Sequence, residues 1–285
     1  MKSSTYYLLA ICSIPAFITG CGTYNCPLPK TLQHTVMQIP FKSSNTQDLM
    51  RNQWSMSGLC IDRIRFKENG HTWQMLLVRN IQHPNGPFWF LPHDNENTAF
   101  DAAVYAVKKY GGGFLSIESG DNRFFRRKDP NRYFRPNSTY SHQVLNIINT
   151  FKPSSLPYLT LHSNKEGHME LGGEGTVSMR ICSDNTLSCP AGDIECGRGM
   201  GIRDEDCLVY LAGKHIDSTE IGKLNRMGLH VKFEKVNSQT YDNSLSNYIT
   251  LYLPDKKYFN IETEEGDLST QKEMIDRVIQ VIYKQ

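Results

Sequence analysis

Apolar and polar positions alternate in short blocks along most of the chain. Residues 61–66 alternate apolar and charged side chains, as a half-buried strand does. Glu68-Asn69-Gly70 is a turn signal, and residues 73–78 form a second apolar run, so a β-hairpin is expected. Residues 88–91 predict a third strand, stopped by Pro92. Asn97-Thr98 can cap a helix over 98–110, where Ala99, Ala103, Ala106, Val107 and Tyr110 recur at helical spacing and three glycines follow. Residues 114–117 read as a strand, 141–149 as a helix and 157–161 as a strand. Near the end, 258–263 is strand-like, and an amphipathic helix runs from about 269 to 283. Strands alternating with helices predict an α/β fold: a mixed, largely parallel twisted sheet with helices on both faces. There is no internal repeat and no low-complexity tract.

The first residues change the domain picture. Met1-Lys2 is followed by an almost wholly apolar stretch over 6–17, then by Ile18-Thr19-Gly20-Cys21. Residues 1–20 therefore read as a secretory signal, too short and wrongly flanked for a membrane span. The Ile-Thr-Gly-Cys ending resembles a bacterial lipobox, which implies cleavage before Cys21 and lipidation of its sulfur; an ordinary signal peptide is the alternative. Gly22, rather than Asp, follows the cysteine, which by the same resemblance points to the outer membrane facing the periplasm. Residues 21–53 then form a lipid-bearing spacer, and 54–285 the domain. The whole chain of 285 residues carries a net charge of only +2, which gives no sign of a nucleic-acid partner.

Exported proteins favour disulfides. Of eight cysteines, Cys12 falls in the signal and Cys21 is the lipid site. Cys26, Cys60, Cys182, Cys189, Cys196 and Cys207 remain as disulfide candidates. Four of them lie within 182–207 without a Cys-x-x-Cys pair, which predicts a stapled surface loop more than a thiolate zinc site.

Four stretches could carry chemistry. His93 and Glu96 stand where a strand gives way to a helix, the position at which open α/β sheets bind ligands. The pair could ligate a metal, or Glu96 could simply favour the helix dipole beside a surface histidine. His162 ends the strand-like run before Ser163-Asn164, and is either a third ligand or a satisfied core histidine. In Asp129-Pro130-Asn131-Arg132, the arginine can grip a carboxylate bidentately and Asn131 can add a hydrogen bond; a plain turn is the other reading. Glu262 on the late strand could serve as a general base or face solvent.

Taken in this order, the four stretches resemble the zinc carboxypeptidases of the carboxypeptidase A type, the funnelins. The resemblance covers about residues 54–284 and rests on these short motifs. It implies one Zn2+ held by His93, Glu96 and His162, a substrate carboxylate bound by Asn131 and Arg132, and water activated by Glu262. The carbonyl-polarising arginine has Arg123 as its first match. It also implies a mixed sheet with helices on both faces. The chain departs from the family at Pro130, where leucine is usual, and no tyrosine is a clear match for the one near the scissile bond; Tyr241, Tyr248 and Tyr258 are all available. Related deacylases of N-acyl amino acids use the same ligands. The expected protein is thus a zinc-dependent carboxypeptidase or amidase of the envelope, acting on peptidoglycan stem peptides. A deacylase of small N-acyl amino acids, or a binding lipoprotein without catalysis, is the alternative.

Overall fold

The structure is a computed structural model that describes residues 23–24, 26–39, 47–191 and 204–283. The signal peptide, the lipidation site Cys21 and the disulfide candidate Cys196 lie outside the described residues. In chain order the elements are β1 Thr23–Tyr24, α1 Lys30–Gln33, β2 Met37–Ile39 and α2 Gln47–Arg51, then the hairpin β3 Cys60–Glu68 and β4 His71–Arg79. There follow β5 Phe88–Leu91, α3 Asn97–Tyr110, β6 Gly113–Ile117, α4 Thr139–Phe151 and β7 Tyr158–Asn164. The last part holds β8 Thr186–Cys189, β9 Leu208–Gly213, α5 Ser218–Arg226, β10 Val231–Lys235, α6 Leu245–Tyr252, β11 Tyr258–Glu264 and α7 Leu268–Tyr283.

The hairpin forms where the sequence places it. Asn69 and Gly70 take φ of 48° and 74°, and Glu68 pairs with His71. Two consecutive positive φ values match the right-handed twist of the flanking strands, which is why Asn-Gly is favoured there. Helix α3 stops at Gly111, and a Cβ on Gly112 would lie 2.0 Å from the Pro87 carbonyl oxygen. Only glycine allows the chain to turn this tightly back into β6.

The strands form one mixed sheet, in the order β1-β3-β4-β6-β5-β7-β11-β9-β10-β8, with β2 also on β3. Its centre, β6-β5-β7-β11, is parallel throughout. Pairing turns antiparallel outward, at β4 against β6 and at β9 against β11. Each strand sends alternate side chains to opposite faces. One face packs Trp89, Leu161, Val209 and Ile261 against α3, α5 and α7. The other packs Trp73, Phe90 and Leu115 against α1, α4 and α6. The mixed α/β sheet with helices on both faces is therefore present.

One expectation needs correction. Residues expected to form a spacer belong to the domain: β1 and β2 pair with β3, and Leu28, Leu32 and Val36 are buried under α4. A disulfide between Cys26 and Cys60 ties this segment to the first long strand. These residues cover apolar surface at the sheet edge, a reason for order that composition does not reveal. Among the described residues, Cys182, Cys189 and Cys207 carry no disulfide, and Cys196 with the middle of the expected stapled loop lies outside them. Cys207 is buried in the α3–α7 core, where it serves as a small apolar side chain, and burial pushes its thiol pKa up.

Candidate metal centre

Parallel pairing of β5, β7 and β11 brings their carboxyl ends to one edge of the sheet. Pro92 stops β5, and the chain turns through His93 to reach α3. His162 stands near the end of β7, and Glu262 is its register partner on β11, so the two are cross-strand neighbours. His93, Glu96 and His162 are all buried, and their ligand atoms lie within 4.8 Å of one another. The three expected metal ligands, spread over seventy residues of chain, are therefore brought together.

Glu96 is the hub. Its Oε1 lies 2.6 Å from His93 Nδ1 and 3.1 Å from an Arg123 guanidinium nitrogen. Its Oε2 lies 3.0 Å from His162 Nδ1 and accepts the Ser163 amide at 3.2 Å. Glu96 occupies the N-cap position of α3 but does not cap it. Glu265 does so instead, from the turn after β11, accepting from the Thr98 amide and hydroxyl at 3.3 and 3.1 Å and from Ser163 Oγ. Glu265 thereby ties the start of α3 to the end of β7 and leaves Glu96 free to face the histidines. Gln271 of α7 donates to the His162 carbonyl at 2.8 Å, which fixes that strand end from behind.

Asp129, which suits a turn in Asp129-Pro130-Asn131, has a second role in the structure. Its Oδ1 accepts the Asn131 amide at 2.8 Å and lies 2.9 Å from His93 Nε2. One carboxylate thus orients a candidate ligand and shapes the 3-10 turn Pro130–Arg132. Arg123 Nε stands 3.8 Å from the other Asp129 oxygen. No local signal could have revealed the partner, which lies 36 positions away.

The charges follow from these neighbours. Burial works to raise the Glu96 pKa, but His93 and His162 hold the carboxyl below its ordinary range. Burial works against His93 protonation, yet Glu96 and Asp129 raise its pKa. Asp129 is held low, against its own burial, by the His93 hydrogen bond. Glu262 has the opposite balance: burial raises its pKa, and Asn260 Nδ2 donates to it at 2.7 Å.

This arrangement fits a divalent metal. Both ring nitrogens of His93 face carboxylate oxygens, which only accept. Each ring nitrogen therefore needs a proton or a metal ion on it: either both are protonated, or a metal ion sits at Nδ1 with the proton kept at Nε2. The His-Glu-His donor set is one that catalytic zinc uses, and a carboxylate on the far nitrogen of a ligating histidine is its usual support.

The expected carboxylate-binding pair lies beside the centre. Asn131, Arg132 and Glu262 line one cavity of about 270 Å3. Arg132 Nε is 3.0 Å from Asp242 Oδ2, and Asn131 Oδ1 is buried without a partner. Of the three candidate tyrosines, only Tyr258 lines the cavity, and its hydroxyl is bonded to Thr160 at 2.8 Å. Tyr241 donates to the Phe134 carbonyl, and Tyr248 packs on Tyr252. Tyr210 and Glu234, which the sequence reading did not single out, also line the cavity.

No protein-family model and no curated protein matches the chain. Among solved structures it is similar to a metallopeptidase candidate from Shewanella denitrificans, at 10% identity and a TM-score of 0.40, over 83% of this chain and 85% of that one. It is also similar to succinylglutamate desuccinylase from Vibrio parahaemolyticus, at 11% identity and 0.37, over 79% and 68%. A third likeness is to a carboxypeptidase A candidate from Shewanella denitrificans, at 10% identity and 0.34, over 75% and 60%. None superposes closely enough to transfer an activity, so the functional reading rests on the residues themselves.

Proposed function

We propose that the chain is a zinc-dependent hydrolase of amide bonds, acting next to a free carboxylate in its substrate. The observation that carries this reading is the meeting of three buried ligand side chains with Glu262 and the Asn131–Arg132 turn at one sheet edge. Zinc held by His93, Glu96 and His162 would polarise a water molecule and the scissile carbonyl. Glu262 would take the proton of the attacking water and deliver it to the departing amine. Arg123, with its guanidinium over Glu96, would hold the carbonyl oxygen. Arg132 and Asn131 would bind the substrate carboxylate and so fix the scissile bond in place, lowering the entropic barrier.

The signal-like residues 1–20 and the Cys21 that follows them support reading this activity as one of the bacterial envelope. A lipid on Cys21 would hold the protein on the outer membrane facing the periplasm. Peptidoglycan stem peptides there offer amide bonds beside free carboxylates, which makes a carboxypeptidase or amidase the first candidate. A cavity of about 270 Å3 also suits a single amino-acid unit, so hydrolysis of small N-acyl amino acids is the second reading.

Zinc content after purification and reloading tests the centre, and mass spectrometry of digested muropeptides and N-acyl amino acids tests the substrate. Glu262→Gln should keep zinc and lower kcat by about 10²- to 10⁴-fold. A protein that takes up no zinc would overturn the proposal. Full activity in Glu262→Gln would remove that residue from its role.

A further inference from the structure

The end of the sheet away from the metal centre carries a separate cavity, of about 390 Å3. It lies where β9 and β10 finish and β11 starts, against the first turn of α5 and the residues after α6. Leu211, Ala212, Phe233 and Phe259 give it an apolar floor, and the exposed Lys214 and Lys256 also line it. Between Lys214 and α5 stands Ile216, an apolar side chain that is 50% exposed.

Lysines at this end outnumber the acids that could hold them. Lys257 pairs with Asp217 at 3.3 Å and with Glu220, which occupies both carboxylates. Among the described residues no acid pairs with Lys214, and Lys256 reaches only the Ser154 carbonyl, at 3.4 Å. Lys152, just after α4, is buried and donates to the carbonyls of Pro153 and Leu156, again without a carboxylate. Burial and the neighbouring Lys256 push its pKa down to about 8. Lys152, Lys214 and Lys256 thus stand against one further acid, Asp255. Uncompensated lysines around exposed apolar surface attract an anion that has an apolar body. The chain also enters the fold at this end of the sheet, since Thr23 pairs with Cys60, and Cys21 stands two positions earlier.

We propose that this end of the molecule docks on a membrane surface that contains anionic phospholipid, with Lys214 and Lys256 on the phosphates and Ile216 and the apolar cavity towards the acyl region. Each lysine held near such a surface adds attraction of its own, and an apolar side chain beside it adds burial. An acidic protein would use the lysines but would gain nothing specific from Ile216. The inference goes beyond the hydrolase reading and needs neither zinc nor a substrate.

A chain starting at residue 21 keeps every described residue, and Cys21→Ser removes the lipid site. Co-sedimentation of this protein with vesicles tests the surface itself. We expect binding to mixed phosphatidylglycerol and phosphatidylcholine vesicles, little binding to phosphatidylcholine alone, and release as salt rises. Lys214→Gln with Lys256→Gln should lower the partition coefficient by about 10-fold or more, and Ile216→Ser should lower it several-fold. Lys165→Gln with Arg127→Gln, which removes two exposed cations at the metal end, should leave it unchanged. All five side chains are exposed, so these variants keep the fold. No binding to the anionic vesicles at low salt, or equal losses from the two double variants, would overturn the inference. So would displacement by poly-glutamate together with undiminished binding of Ile216→Ser, which would assign the surface to an acidic polymer.

Discussion

The two faces of the strands β7, β11, β9 and β10 differ completely in chemistry. Leu161, Ile261, Val209 and Val231 point into the core beneath α3 and α7. Their neighbours one residue along, His162, Glu262, Tyr210 and Lys232, point to the metal edge and its cavity. On the opposite side of the same sheet centre, β5 is apolar on both faces, and β6 is so except at the buried Ser116. Strands buried on both sides normally read as continuous apolar runs, so strict alternation deep in a sheet marks a face reserved for something other than packing. The apolar face provides the burial that allows the other face to hold polar groups at some cost.

Four substitutions sharpen or break this division. The largest effect is expected from Ile261→Ala, on the packing face. It should cost about 2–5 kcal/mol in urea unfolding, with zinc affinity of the folded protein retained. An equal loss from Asn260→Ala, one residue away, would show that the two faces share the work of stability. Next comes Asp129→Asn, which leaves the histidine without its carboxylate support. Zinc affinity should fall by about 10- to 100-fold in competition with a chromogenic chelator, while the metal-free protein melts near its original temperature.

The smallest effect concerns pH. Burial raises the Glu234 pKa, so the folded protein holds this proton more tightly than the unfolded chain does. The stability this contributes is complete below the ordinary carboxyl range and is lost as pH rises through that range to the folded value. Glu234→Gln should lack this decline. Urea midpoints from about pH 4 to about pH 8 should therefore move in the variant's favour relative to wild type. Parallel curves would mean that Glu234 has a neighbour which neutralises it.

Most of the site was legible because its ligands sit at element boundaries that local signals mark. Pro92 after an apolar strand locates His93, and the end of an apolar run locates His162. The Asn69-Gly70 hairpin and the glycines after α3 were equally plain, since backbone conformation alone demands those residues. What escaped notice depends on distant partners. Asp129 reads as a turn until His93 arrives beside it, and Glu265 reads as a loop acid until Thr98 and Ser163 are near. Strands β8 to β10 are short and gain their order from pairing with one another and with β11. Leu28, Leu32 and Val36 stand isolated among polar neighbours, and only the sheet edge they cover explains their burial. Of the cysteines, Cys26 and Cys60 pair, whereas Cys207 is buried as a free thiol that needs no bonding partner.

The attachment of the N-terminal segment has a consequence for how the protein would stand on a surface. Register links Thr23 to Cys60, Cys60 to Arg79, Arg79 to Gly113 and Gly113 to Phe88. All of these lie at the starting end of β5 and β6, and His93 follows the finishing end of β5. If Cys21 carries lipid, only Gly22 separates it from Thr23, a reach of about 7 Å at most. The tether would then be a short stem and not a leash. It would hold the starting end of the sheet towards the bilayer and keep His93, which follows the finishing end of β5, on the side away from it.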